Sequence, residues 1–114
     1  MPKRRERVAP PPKPEGWNFR YGRGDAVTGW EEVCAAAPAN ARTAWERITT
    51  DPRQRSKRQH PLKGDLGTRL VNSETLEQWQ YEVTGGGRLW YCIDDKQSVV
   101  WLTDAIPGHP KRTE

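Results

Sequence analysis

The sequence predicts an α+β domain in the order βααβββ, a small, twisted, mainly antiparallel sheet with a two-helix hairpin packed on one face. Three observations predict it. Apolar residues alternate with polar ones over residues 17–21 and again from residue 76 to residue 103, the period of a strand with one buried face. Residues 28–50 instead repeat apolar positions at helical spacing. Glycine and proline separate these stretches, and 114 residues suffice for one domain only.

Residues 1–15 hold Pro2, Pro10, Pro11, Pro12 and Pro14 among basic residues and almost nothing apolar. Such a segment buries too little surface to offset its ordering entropy, so it reads as a flexible or polyproline-like basic arm, with one domain over residues 16–114. Trp17, Phe19 and Tyr21 then give the first strand an aromatic face, ended by Gly22 and Gly24. Thr28 and Glu31 match a capping box, and Trp30, Val33, Cys34 and Ala37 follow as one helical stripe. Pro38 suits the first turn of a second helix, whose stripe of Ala41, Ala44, Trp45 and Ile48 runs to the stop at Asp51 and Pro52.

Residues 53–73 show no sustained period and read as a long polar loop. Beyond it Trp79, Tyr81 and Val83 share one strand face. Leu89, Tyr91 and Ile93 do the same after Gly85, Gly86 and Gly87. A three-glycine loop would oppose Thr84 to Arg88, Tyr81 to Tyr91 and Trp79 to Ile93, keeping apolar against apolar. One of those glycines would then take a positive φ. Val100 and Leu102 would continue the core face by pairing with Ile93 and Tyr91. The other face would gather Gln80, Glu82, Arg88, Trp90, Trp101 and Thr103.

Charge narrows the function classes. Residues 1–13 carry a local +4 and residues 53–69 a local +5, while the rest of the chain carries −5. Two basic blocks on an acidic remainder suit either a polyanionic partner, most simply nucleic acid, or a solvated charged surface. Mean hydropathy is −1.01, and no stretch approaches the roughly 18 to 20 apolar residues of a membrane span, so no membrane partner is expected. Lys3, Arg4 and Arg5 are not followed by the apolar run of a secretory signal. Cys34 and Cys92 lack any metal-ligand or CxxC spacing and read as reduced thiols of a cytoplasmic protein.

Two short motifs add a resemblance. His60-Pro61-Leu62-Lys63-Gly64 resembles the "PLKG" loop, and Arg88-Leu89-Trp90-Tyr91 the "RLVY" strand, of the RelE/ParE superfamily of bacterial toxins, in particular its ribosome-dependent messenger-RNA interferases. Gly108-His109-Pro110-Lys111 is similar to the C-terminal stretch where related toxins place catalytic groups, and the likeness spans residues 17–111. It implies a RelE-like fold and a type II toxin that cleaves messenger RNA on the ribosome, arrests translation and is neutralised by a cognate antitoxin. The partners implied are that antitoxin, the ribosome and messenger RNA, with no metal and no small-molecule cofactor. Arg88 would hold the scissile phosphate and Lys63 would contact phosphate. His60 and His109 would share the base and acid roles, with Lys111 beside them. Arg55, Lys57, Arg58 and Arg69 would contact RNA together with Gln80, while Trp90 and Trp101 can stack on bases or pack against a partner. The C-terminal tyrosine of several relatives is missing, because the chain ends Lys111-Arg112-Thr113-Glu114. A ParE-like toxin binding a protein target such as DNA gyrase, and a non-toxic RNA-binding module, are the competing readings.

Overall fold

The computed structural model describes residues 16–108, so the basic arm, His109 and Lys111 lie outside the described residues. Six strands, β1 (Asn18–Tyr21), β2 (Gln59–Pro61), β3 (Thr68–Val71), β4 (Glu74–Glu82), β5 (Arg88–Asp94) and β6 (Val99–Ile106), form one sheet. Helices α1 (Gly24–Ala36) and α2 (Pro38–Thr50) lie between β1 and β2 in the chain. The sheet order is β1-β6-β5-β4-β2, with β3 also on β4; every pairing is antiparallel except the parallel β1 and β6. Among the described residues no helix is long and apolar enough to cross a membrane.

Both helices bury one stripe against one face of the sheet. Ala26 and Val33 of α1 and Ala41, Ala44 and Ile48 of α2 meet Trp79, Tyr81, Leu89, Tyr91, Ile93, Val100 and Leu102 in a single core. Trp17 and Phe19 pack at its margin, and Phe19 meets Trp30 edge to face at 6.3 Å. Tyr21 and Trp45, expected inside, stay exposed. At Gly29 an added Cβ would collide with the Ala105 carbonyl oxygen, so α1 lies on β6 backbone to backbone.

Three expectations are corrected. The first helix starts at Gly24, four residues before the capping-box Thr28, because Ala26 is drawn fully into the core and extends the stripe by a turn. The loop expected over residues 53–73 contains β2, a single 3₁₀ turn (Gly64–Gly67) and β3. Both strands pair with the same side of β4 and form one interrupted edge. Between Pro61↔Trp79 and Thr68↔Glu77 the edge advances seven residues while β4 advances two, which loops Lys63 outward. Asn72 and Ser73, at φ 50° and 69°, make the tight turn into β4.

The third correction concerns the hairpin register. Tyr81 opposes Leu89, Trp79 opposes Tyr91 and Glu82 opposes Arg88, so the faces are as expected but the strands are offset. None of Gly85, Gly86 and Gly87 has a positive φ. The Thr84 hydroxyl accepts the Gly87 N–H at 2.8 Å and closes the turn, and a Cβ on Gly87 would crowd that oxygen at 2.8 Å. The pairings of Ile93 with Val100 and Tyr91 with Leu102 are as the sequence predicts.

Candidate functional site

The sheet face away from the helices is open, and three strands bring His60, Gln80 and Trp90 into one row across it. The Trp90 indole can only donate, and it donates to Gln80 Oε1 at 2.8 Å. That fixes the Gln80 amide so that its nitrogen lies toward His60 Nε2, 3.5 Å away. His60 Nδ1 lies 3.2 Å from the Pro61 carbonyl, which can only accept, so Nδ1 carries the proton. The remaining lone pair, at Nε2, faces the Gln80 amide N–H across that long contact.

Arg88 stands at the start of β5, exposed on that same face, opposite Glu82 on one side and Ile106 on the other. It makes no salt bridge among the described residues. Two strand spacings and two residues separate it from His60, about 12 Å between Cα atoms, within which a long guanidinium arm and an imidazole can address one group. Lys63 is exposed at the entry to the 3₁₀ turn.

That turn is held down by a residue the sequence reading missed. Gln78 is buried; it donates to the Leu66 carbonyl at 2.7 Å and accepts from the Thr103 hydroxyl at 3.3 Å. Its place on the polar face of β4 was legible, but its cover, the looped edge, was not.

Of the other sequence candidates, Arg69 and Trp101 share this face but are engaged by carboxylates, and the rest lie at the sheet edge. Arg69 is held by Asp104, which also takes Arg23 at 3.1 Å, and by Gln78. Trp101 turns its indole N–H to the buried Asp94, 3.3 Å away. The Arg55 guanidinium lies 5.8 Å from the centre of the Trp79 ring. Arg58 and Lys57 lie beyond the edge of β4, near α2. Both cysteines are free thiols, and burial pushes Cys92 up to about 12. Among the described residues no group of three or more His, Cys, Asp or Glu could hold a metal.

No protein-family profile and no curated protein matches the chain. Solved structures do match. An archaeal RelE–RelB complex from Pyrococcus horikoshii aligns at a TM-score of 0.57 and 15% identity, over 80% of this chain and 93% of that one. The toxin–antitoxin complex RelBE2 from Mycobacterium tuberculosis aligns at 0.50 and 19% identity, over 83% and 99%. The chain has the RelE-like fold.

Within this RelE-like fold, the row of His60, Gln80 and Trp90 and the Arg88 side chain share the helix-free face, whereas Arg55, Lys57 and Arg58 belong to its edge. The face can accept a proton at His60 Nε2 and bind an oxyanion at Arg88.

Proposed function

We propose that this chain is a RelE-type toxin, a metal-independent, ribosome-dependent endoribonuclease of messenger RNA that acts in the cytoplasm and is silenced by a cognate antitoxin. The observation that carries the reading is the Arg88 guanidinium, free of salt bridges among the described residues, on the helix-free face of a RelE-like sheet that also carries the His60 imidazole. Arg88 would fork onto two oxygens of the scissile phosphate, where negative charge grows during attack. His60 Nε2, giving up its long contact with the Gln80 amide, would take the proton of the ribose 2′-OH. That oxygen would then attack phosphorus and the bond to the 5′-oxygen would break, leaving a 2′,3′-cyclic phosphate and a 5′-hydroxyl. Lys63 would add charge beside the phosphate, and His109 or Lys111 would protonate the departing oxygen. Gln80 and Trp90 would hold the imidazole in the required tautomer.

Arg88→Ala on programmed ribosomes tests this. The single-turnover rate is expected to fall 10²- to 10³-fold, roughly 3 to 4 kcal/mol, with the urea midpoint unchanged. Induction of the wild-type chain in a bacterial host should arrest growth and create new 5′ ends within translated messages. Full toxicity in Arg88→Ala, or arrest without new 5′ ends, would remove the nuclease reading in favour of a protein target.

A further inference from the structure

A cleft of about 410 Å³ lies on the other side of the sheet from His60, between α2 and the edge of β4. Arg47 enters it from α2, and Lys57 and Arg58 from the connection into β2. No carboxylate lines it, and none of these three cations makes a salt bridge among the described residues. We infer that this cleft is a second phosphate site, which takes the backbone of the RNA strand where it leaves the Arg88 face; the inference rests on the nuclease reading for the identity of that strand.

The cleft is organised before any ligand arrives. Arg58 Nη1 donates to the Glu82 and Val83 carbonyls at 3.1 and 3.4 Å, which anchors the guanidinium on the end of β4 and leaves its Nε and Nη2 protons for a ligand. The Ser56 hydroxyl oxygen accepts the backbone N–H groups of Arg58 at 3.2 Å and Gln59 at 3.1 Å, so its own proton is free to donate outward. Asn40 is spent on the Val83 carbonyl at 3.0 Å and braces α2 against the strand. Preorganised donors of this kind lose little entropy when an oxyanion binds.

The floor decides which polyanion fits. Tyr81 and Val83 are only 3% and 2% exposed, so the cleft offers no ring face on which a base could stack and no apolar pocket for a peptide side chain. Peptide partners are held mainly by such anchors, whereas phosphodiesters need only positive charge and donors. Position agrees. The Glu82 N–H donates to the Arg58 carbonyl at 2.7 Å, and Glu82 opposes Arg88, so Arg58 and Arg88 flank one residue of β4 about 10 Å apart. A strand with one phosphate at Arg88 can round the edge to Arg58, Lys57 and Arg47, passing the single carboxylate of Glu82 that lies between the two arginines.

The test is fluorescence anisotropy of the full chain with a labelled 12-nucleotide RNA made uncleavable by 2′-O-methylation, over a potassium chloride series. Removing two phosphate contacts by the double variant Arg47→Gln, Lys57→Gln should weaken binding about tenfold at 0.1 M salt and flatten the slope of log K against log salt by about 1.4. The urea midpoint should not move. Unchanged affinity and slope overturn the cleft, even if the wild-type chain cleaves RNA. The expected loss in a chain that never cleaves RNA supports the cleft and removes only the nuclease reading. A poly-glutamate peptide that displaces the RNA from the wild type but not from the double variant would assign the cleft to an acidic protein segment and overturn the phosphate site.

Discussion

Tyr91→Phe tests how the core positions His60. The Tyr91 hydroxyl is wholly buried; it donates to the Pro52 carbonyl at 2.7 Å and accepts from Gln59 Nε2 at 3.0 Å. Gln59 is 1% exposed, immediately precedes His60, and also donates to the Asp51 carbonyl at 3.1 Å. One oxygen therefore ties the end of α2, the start of β2 and the centre of β5 together. Deleting it leaves the Pro52 carbonyl without this partner in a buried place and one Gln59 N–H unfilled. Two neutral hydrogen bonds at about 1 kcal/mol each put the loss near 2 kcal/mol, with a stranded buried group raising it towards 3. For a domain of this size that is a fall of roughly 10 °C or more in the thermal midpoint. Burial also pushes the Tyr91 phenol above its ordinary value of 10, so the hydroxyl keeps its proton and the loss should be the same at pH 6 and pH 9. Urea unfolding followed by tryptophan fluorescence measures it, and hydrogen exchange should show protection falling first in β2. A loss below about 0.5 kcal/mol, or a uniform loss of protection, would refute the tie.

Gly29→Ala should destabilise the fold by about 3 kcal/mol, read from the urea midpoint, because the new methyl would press on the Ala105 carbonyl oxygen and part α1 from β6. Gly24→Ala, in the same helix with nothing within 4 Å, should instead leave stability unchanged or raise it by about 0.5 kcal/mol. Arg53 hydrogen-bonds Glu77 and Asp95 and holds both carboxyls below their ordinary values, so their contribution is complete above pH 4.5 and is lost as pH falls through the lowered values. The wild-type urea midpoint should therefore fall as pH drops below 4.5, and Arg53→Gln should show a smaller fall over the same range.

What the residues disclosed follows from which forces act locally. Helix limits at Pro38 and Asp51, the two faces of β4 and β5, and the register of Ile93 with Val100 depend on neighbouring residues and could be read directly. β2 and β3 could not. Each is an edge strand of three or four residues; one contains Pro61 and the other exposes Leu70, so neither carries an alternating pattern. The hairpin offset arose because the Thr84 hydroxyl did what a left-handed glycine was expected to do. In the candidate site the types of His60 and Arg88 were informative, but the links through Gln80 and Trp90 needed three strands in register. The pinning of Arg69 by Asp104 joins residues 35 apart, and local composition is silent about such pairs.

The parallel pairing of β1 with β6 sets a clock on biosynthesis. β1 finds its strand partner among the described residues 81 residues later, where Asn18 meets Val99, and α1 rests on that same late strand at Ala105. At roughly 5 to 20 residues per second, a nascent chain waits about 4 to 16 seconds between making β1 and making its partner. Until then the aromatic residues of β1 and the apolar stripe of α1 have no sheet to cover, and Arg88 has no Ile106 beside it. The chain is therefore translated as an unfinished fold, in which β2, β4 and β5 can set the row of His60, Gln80 and Trp90 before β6 arrives to complete the sheet.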